Sequence, residues 1–358
     1  MVIEAPELQP VESPTALYRT QGGLPLVVAA DDRPQVDGLV AWLRSNASNV
    51  RSDLTRCGAI LFRGFDVGTA GDFERIARAI DDDLKNEYMG LSPRNALTDH
   101  VFTASEIPSA FPIPEHNEMS FVATPPHRLF FWCQTPPQRG SGETPLVDMR
   151  RVYQDLDPTV RDRFEQRGIR IVRNYRPPGK TRPWDLTQLK PWVDMFQTTD
   201  RDEVERKCER ERFTPVWTDD GALRLLSSQP AVKRHPETGE KVWFNHASVF
   251  HTSAGYGELK RVFALRPSAL SLLSWVGGIA YTRAQRRLID PDELPMHCTF
   301  GDGTTIPDED MEAVREAIWK NLVITPWEQG DVLAIDNDST GHGRMPFRGR
   351  RMIAVAWA

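Results

Sequence analysis

The chain is 358 residues long, with 44 Lys and Arg against 50 Asp and Glu and a formal net charge of −6. Its basic residues are spread along the sequence, so there is no basic stripe for nucleic acid and no polybasic cluster beside a membrane. With no apolar run near the roughly 20 residues a membrane span needs, the chain reads as a soluble, cytoplasmic protein working on a small molecule.

Residues 1–30 carry scattered prolines and little periodicity, which reads as an irregular N-terminal arm on the surface or at an entrance, ahead of a single domain over 31–358. The first twenty residues lack the basic start and apolar core of a signal peptide. Asp37 to Ser45 has helical spacing, Cys57 to Phe65 is a compact apolar run closed by glycine as in a buried strand, and Asp72 to Leu84 returns to helical alternation. From His127 onward, short apolar runs alternate with Pro, Gly and Asp: Leu129 to Trp132, Thr144 to Val147, Ile169 to Val172, Lys241 to Phe244, Val332 to Ile335 and Met352 to Trp357. Such a pattern predicts a mainly β protein with flanking helices (α+β), built on a double-stranded β-helix or jelly roll. The stretch from about 182 to 320 has helical spacing at Asp200 to Arg212 and Asp308 to Lys320, and reads as a large helical insertion covering the sheet. No fixed-period repeat is present, which disfavours a solenoid or propeller. Cys57, Cys133, Cys208 and Cys298 lie far apart with no CxxC pair, so each reads as an isolated thiol.

Chemistry enters at His116-Asn117-Glu118. In an extended strand, residues i and i+2 point to one face, so His116 and Glu118 can bind one ion while Asn117 points away. Taken alone, a His-x-Glu triplet is a weak signal. Its weight comes from Gly330 to Asn337, a turn, a buried strand and a second turn that deliver His342 as a third ligand. Two imidazoles and one carboxylate occupy one face of an octahedral ion and leave three positions open, which suits Fe(II) and oxygen. His100, His127, His235, His246, His251 and His297 compete for the third place. His235, within Arg234 to Gly239, reads as part of a surface turn, unlike a metal ligand. His246 and His251 follow Val242-Trp243-Phe244 and are candidates either for lining a pocket or for core hydrogen bonds.

Activating oxygen takes two further electrons, which a chelating 2-oxo acid supplies on decarboxylation, and its far carboxylate needs a buried guanidinium. Arg344, Arg348, Arg350 and Arg351 all follow His342. Adjacent Arg350 and Arg351 point to opposite faces of a strand, so alternation leaves the choice between them open.

Together these residues resemble the TauD/TfdA family of Fe(II)/2-oxoglutarate-dependent oxygenases, from about Gly58 to the C-terminal end. Three blocks carry the resemblance: His116 to Phe121, Gly140 to Thr144 with Asp148, and Gly330 through His342 to Arg351. The chain is most similar to the SyrP-like branch, which acts on amino acids or their derivatives in specialised metabolism. The resemblance implies that His116, Glu118 and His342 hold iron, that Thr144 contacts 2-oxoglutarate, and that Arg351 grips its distal carboxylate. It implies hydroxylation by O2 with release of succinate and CO2; desaturation or ring closure would use the same residues. Related halogenases carry a small residue where this chain has Glu118, so oxygenation is expected over halogenation. An amino-acid substrate, free or tethered to a carrier protein, needs an anion partner, for which Arg94 and Arg344 are candidates, with Asn117, Asn245 and His246 as neighbouring polar contacts. Two readings of other classes are a zinc hydrolase on the same ligands, with no use for Thr144 and Arg351 as a clamp, and an inactive small-molecule-binding protein on this scaffold.

Overall fold

The computed structural model describes residues 9–11, 17–19, 23–90, 94–105, 107–138, 140–180 and 189–358. Four of the six apolar runs, Leu129 to Trp132, Thr144 to Val147, Val332 to Ile335 and Met352 to Trp357, fall in two facing sheets. The larger contains, in spatial order, Gln9–Val11, Leu17–Arg19, Leu26–Ala30, Ala59–Arg63, Val332–Asp336, Arg128–Thr135, Met352–Trp357 and Phe102–Thr103. The smaller contains Leu322–Val323, Leu146–Asp148, Thr340–Arg344 and Ile113–His116. These are the sheets of a jelly roll, and with the helices around them the protein is mainly β and α+β.

Period-two alternation explains why the central strands read as unbroken apolar runs. Leu61, Leu129, Phe131, Cys133, Leu333, Ile335, Ile353 and Val355 fill the space between the sheets with Leu146 and Met119. Their neighbours Ile60, Phe62, Phe130, Trp132, Val332, Ala334, Ala354 and Ala356 face the other way, onto Leu39, Leu43, Leu54, Phe73 and Ile76. Those five come from the helices Val36–Ser45, Ala47–Cys57 and Ala70–Ile80. Each buried Leu, Ile or Phe contributes roughly 1.5–3 kcal/mol of transfer free energy, which clamps both faces of the sheet. Ala70–Ile80 begins with a reciprocal capping box between Thr69 and Asp72. Ala47–Cys57 ends at Gly58, whose φ of +83° is left-handed and whose missing Cβ makes room for Thr340.

Two expectations need correction. The N-terminal arm is not irregular throughout: Leu26–Ala30 is a strand with Leu26 and Val28 buried, paired in parallel with Ala59–Arg63. Gln9–Val11 and Leu17–Arg19 extend the same sheet. Pairing partners distant in sequence, not local periodicity, make these strands. Residues 1–8, 12–16 and 20–22 of the arm lie outside the described residues.

The insertion is helical at Arg201–Arg210 and Asp308–Lys320, as the spacing predicts, and also at Ala254–Leu265 and Ala269–Leu288. It carries a β layer as well. Thr214–Trp217, Leu223–Gln229, Ile169–Tyr175 and Met296–Phe300 form a third sheet, so the elaboration begins upstream of 182, and Arg182 itself lies outside the described residues. A separate core of Phe164, Ile171, Leu225, Trp243, Phe300 and Ile318 packs under it and reaches Phe121. All four cysteines are buried free thiols. Among the described residues, no helix is long and apolar enough to cross a membrane.

Candidate metal centre

His116 ends the strand Ile113–His116 and His342 sits mid-strand in Thr340–Arg344, where the two are direct partners across an antiparallel pair. Opposed residues share a face, so both imidazoles project together, with ring centroids 4.6 Å apart. Glu118 lies in a turn beyond the strand, not in the extended continuation that alternation predicts, and Met119 next to it has φ +49°. Asn337 holds that turn. Its Oδ1 accepts from the Glu118 amide at 2.7 Å, and its Nδ2 donates to the carbonyls of Glu118 and Pro126 at 3.1 and 2.7 Å. The connection 336–339 therefore positions both the carboxylate and the strand bearing His342. One ligand atom from each of His116, Glu118 and His342 lies within 4.8 Å of the others.

The protonation states suit a cation. With His116 Nδ1 donating to the Pro114 carbonyl at 2.8 Å, Nε2 keeps its lone pair for a metal. Burial, reinforced by the neighbouring His342, pushes the His116 imidazole down to about 4, so it is neutral at physiological pH. Burial alone would raise the Glu118 carboxyl, but Arg94 and the two imidazoles outweigh it and hold the group well below the usual carboxylate range. Arg94 donates to Glu118 Oε2 at 3.2 Å and to the Tyr88 hydroxyl at 3.0 Å. Two imidazoles and a carboxylate fit a divalent ion with one face left open, as an Fe(II) oxygenase requires.

Thr144 and Arg351 meet beside this face. Arg351 donates to the Gly142 carbonyl at 2.8 Å and to Thr144 Oγ1 at 3.3 Å, and Trp327 Nε1 donates to the same Oγ1 at 3.2 Å. A hydroxyl that accepts twice still has its own proton to give. Burial, with Arg344 adding to it, lowers the Arg351 guanidinium to about 10, which leaves it cationic at neutral pH. Neighbouring Glu143 is taken by Arg266 through two bonds of 2.8 and 3.0 Å. Arg350 is exposed. The pair offers a cation and a hydroxyl donor to a carboxylate.

The remaining expected substrate contacts divide. Both terminal nitrogens of Arg344 are committed to backbone, donating to the carbonyls of Ser105, Ile107, Pro108 and Phe111 at 2.8–3.3 Å. Asn117 is wholly buried and its amide donates to the carbonyls of Asn337 and Thr340. Asn245 accepts from the Ala247 amide and donates to the Ala231 carbonyl. His246 does reach the metal face, its ring 4.5 Å from that of His116 and its Nδ1 2.6 Å from Ser120 Oγ. Arg94 reaches it through Glu118.

Among the competing histidines, His251 is engaged by Ser253 and the Ile306 carbonyl. His100 contacts Arg78, His127 contacts Asp338, and His297 is buried in its strand. His235 is a correction. It is 1 % exposed, with Nε2 donating to Asp336 at 2.8 Å and Nδ1 accepting from the amides of Glu237 and Thr238. The turn is polar because it folds over its own imidazole. His235, Asp336 and Asp338 also cluster, but Arg128 and Ser339 satisfy Asp336, and Lys233 and His127 satisfy Asp338. Tyr88, Ser120, Phe121, Arg173, Trp327 and Asn337 escaped the sequence reading as site residues. An arginine inside the run Ile171-Val172-Arg173 was the one visible cue.

Residues 23–357 match the family described as Taurine catabolism dioxygenase TauD, TfdA family. The dapdiamide synthesis protein DdaC of Enterobacter agglomerans is 31% identical over 303 residues, 85% of this chain and 82% of that protein. A clavaminate synthase-like protein of Arabidopsis thaliana is 31% identical over 307 residues, with 85% and 82% covered. Among solved structures, PvcB of Pseudomonas aeruginosa aligns over 100% of this chain and 92% of its own, at 14% identity and a TM-score of 0.49.

Proposed function

The chain belongs to the TauD/TfdA family and is an Fe(II)/2-oxoglutarate-dependent dioxygenase; from that premise we propose that it hydroxylates an unactivated C–H bond of an amino acid or amino-acid derivative in specialised metabolism. The observation that carries the reading is the buried His116/Glu118/His342 face with Arg351 and Thr144 beside it. In this reading the three ligands hold iron, and Arg351 with Thr144 orients 2-oxoglutarate by its distal carboxylate. The bound iron and co-substrate supply an oxidant able to break a C–H bond, with succinate and CO2 as co-products. Glu118 fills the third ligand place and supports oxygen insertion over halide transfer. His246 and Phe121 border the open face, where they position substrate and exclude water.

Two relatives support the substrate class. One is named for dapdiamide synthesis and the other for likeness to clavaminate synthase. Four unpaired cysteines support action in the reducing cytoplasm.

The test is to reconstitute the protein with Fe(II) under anaerobic conditions, add 2-oxoglutarate, admit O2, and measure succinate and oxidised product across free and carrier-bound amino acids. We expect substrate-stimulated succinate and a product heavier by one oxygen. A product lighter by two hydrogens would replace hydroxylation by desaturation or ring closure. In the same assay Arg351→Ala should raise the KM for 2-oxoglutarate by roughly 10- to 100-fold, the loss of a charge-assisted hydrogen bond; an unchanged KM removes Arg351 from the clamp.

A further inference from the structure

We propose that Arg173, together with Arg94, forms the anchor for a free carboxylate on the substrate; this rests on the oxygenase reading and narrows it. Arg173 lies on the strand Ile169–Tyr175 and is 0 % exposed. Its guanidinium carbon sits 4.5 Å from the centre of the Phe121 ring and 4.6 Å from that of Phe213. One of its nitrogens donates to the Tyr175 hydroxyl at 3.2 Å and weakly to the Met89 carbonyl at 3.4 Å, while Nε and the other terminal nitrogen have no partner. Among the described residues, no ion pair includes Arg173.

Arg94 shares part of the pattern, although it is also paired with Glu118 at 3.2 Å. Its side chain is 7 % exposed, it holds the Tyr88 hydroxyl, and its Nε and one terminal nitrogen also lack partners. Two buried guanidiniums thus grip adjacent residues, Tyr88 and Met89, with four nitrogens unused. The Phe121 ring under Arg173 is 4.9 Å from His246, whose ring is 4.5 Å from the ligand His116. The cluster therefore borders the metal face.

A buried cation is costly unless an anion pairs with it, and two aromatic faces offset only part of that cost. Charge counting sharpens the point. With iron in place, Glu118 is shared between the metal and Arg94, and the two carboxylates of 2-oxoglutarate are matched by iron and Arg351. Arg94 and Arg173 then leave an excess of positive charge in a dry site. A substrate carboxylate reduces that excess and can accept from planar N–H groups in pairs. The ligand class is a free acid. An ester, an amide or a carrier thioester made through that carboxyl would lack the charge, so the substrate is one whose anchoring carboxylate is unblocked.

Thermal unfolding of the Mn(II)-loaded protein tests this without knowing the substrate. A rise in midpoint on adding 2-oxoglutarate tests the oxygenase reading itself, and no rise would count against that reading alone. At saturating 2-oxoglutarate, 100 mM sodium acetate is then compared with sodium chloride of equal ionic strength and with acetamide. We expect acetate alone to raise the midpoint further, Arg173→Met to abolish that increment, and Arg173→Lys to keep part of it. We also expect Arg173→Met to unfold at or above the wild-type temperature, because it removes an uncompensated buried charge. No acetate increment in the wild type, or an equal increment in Arg173→Met, overturns the anchor. An Arg173→Met protein that unfolds several degrees lower or does not fold, with Arg173→Lys giving no acetate increment, makes Arg173 a structural clamp between phenyl rings and overturns it too.

Discussion

At the scale of single residues, each polar group near the site is decided by where its protons go. His251 is an example that carries a pH signature. Its Nε2 donates to the Ile306 carbonyl and its Nδ1 accepts from the Ser253 amide, an arrangement that requires the neutral ring. Burial pushes it down to about 4, with Asp308 opposing and Arg315 and Arg286 assisting. Because the folded-state value lies below the unfolded one near 6.5, the unfolded chain binds the extra proton, and stability present above about 6.5 is lost as pH falls toward 4. His251→Gln should flatten that loss by on the order of 2–3 kcal/mol, read from urea unfolding at pH 7 and pH 4.5; identical slopes for both proteins would show that His251 is not the sensor. The same logic marks what could be read in advance. His116, Glu118, His342, Thr144 and Arg351 stood out because few residue types bind a metal or grip a carboxylate. For Asn117, Asn245 and Arg344 the sequence shows a polar group without showing the backbone carbonyls it also holds. Arg173 passed unnoticed because one arginine in a strand reads as a solvent-facing alternate position.

At the scale of elements, the apolar runs Leu129 to Trp132, Val332 to Ile335 and Met352 to Trp357 of the jelly roll were legible because burial on both faces removes their polar positions. The third sheet was not. Leu223–Gln229 mixes serines with leucines and is held as a strand by Ile169–Tyr175, far back in sequence, while Thr214–Trp217, largely open to solvent, is an edge strand paired with Leu223–Gln229. Glu118 was placed in a strand for a related reason: only Asn337, 219 residues on, turns the chain there. Long-range bracing of this kind gives a prediction for the loop before Ile113. Arg344→Met removes one donor from each of four carbonyls, of which Pro108 keeps the Phe111 amide, at a cost of about 1–3 kcal/mol for any carbonyl left buried and unpaired. Amide exchange over 105–111 should quicken at least tenfold while exchange in Arg128–Thr135 stays slow, as expected when opening is local. Uniform acceleration across both would mean that Arg344 supports the whole fold.

At the scale of the molecule, the metal face joins the two ends of the domain. His116 belongs to the first third of the chain and His342 to the last strand pair, yet they are hydrogen-bonded neighbours. Iron and 2-oxoglutarate bind this arrangement and not the unfolded chain, so at a hundredfold excess over Kd each should contribute about 2.7 kcal/mol. Removing the metal with a chelator should therefore lower the unfolding midpoint by several degrees. His342→Ala should unfold at the same temperature with or without chelator; a chelator response retained in that variant would place the metal elsewhere. One further consequence follows from the pairing of His116 with His342. During synthesis His116 emerges long before its partner, and at about 5–20 residues per second the interval is at least ten seconds. Throughout that interval no ribosome-bound fragment can hold iron on all three ligands. Loading consequently waits for the strand that carries His342, and a chain cut short before that residue is one that no supply of iron can rescue.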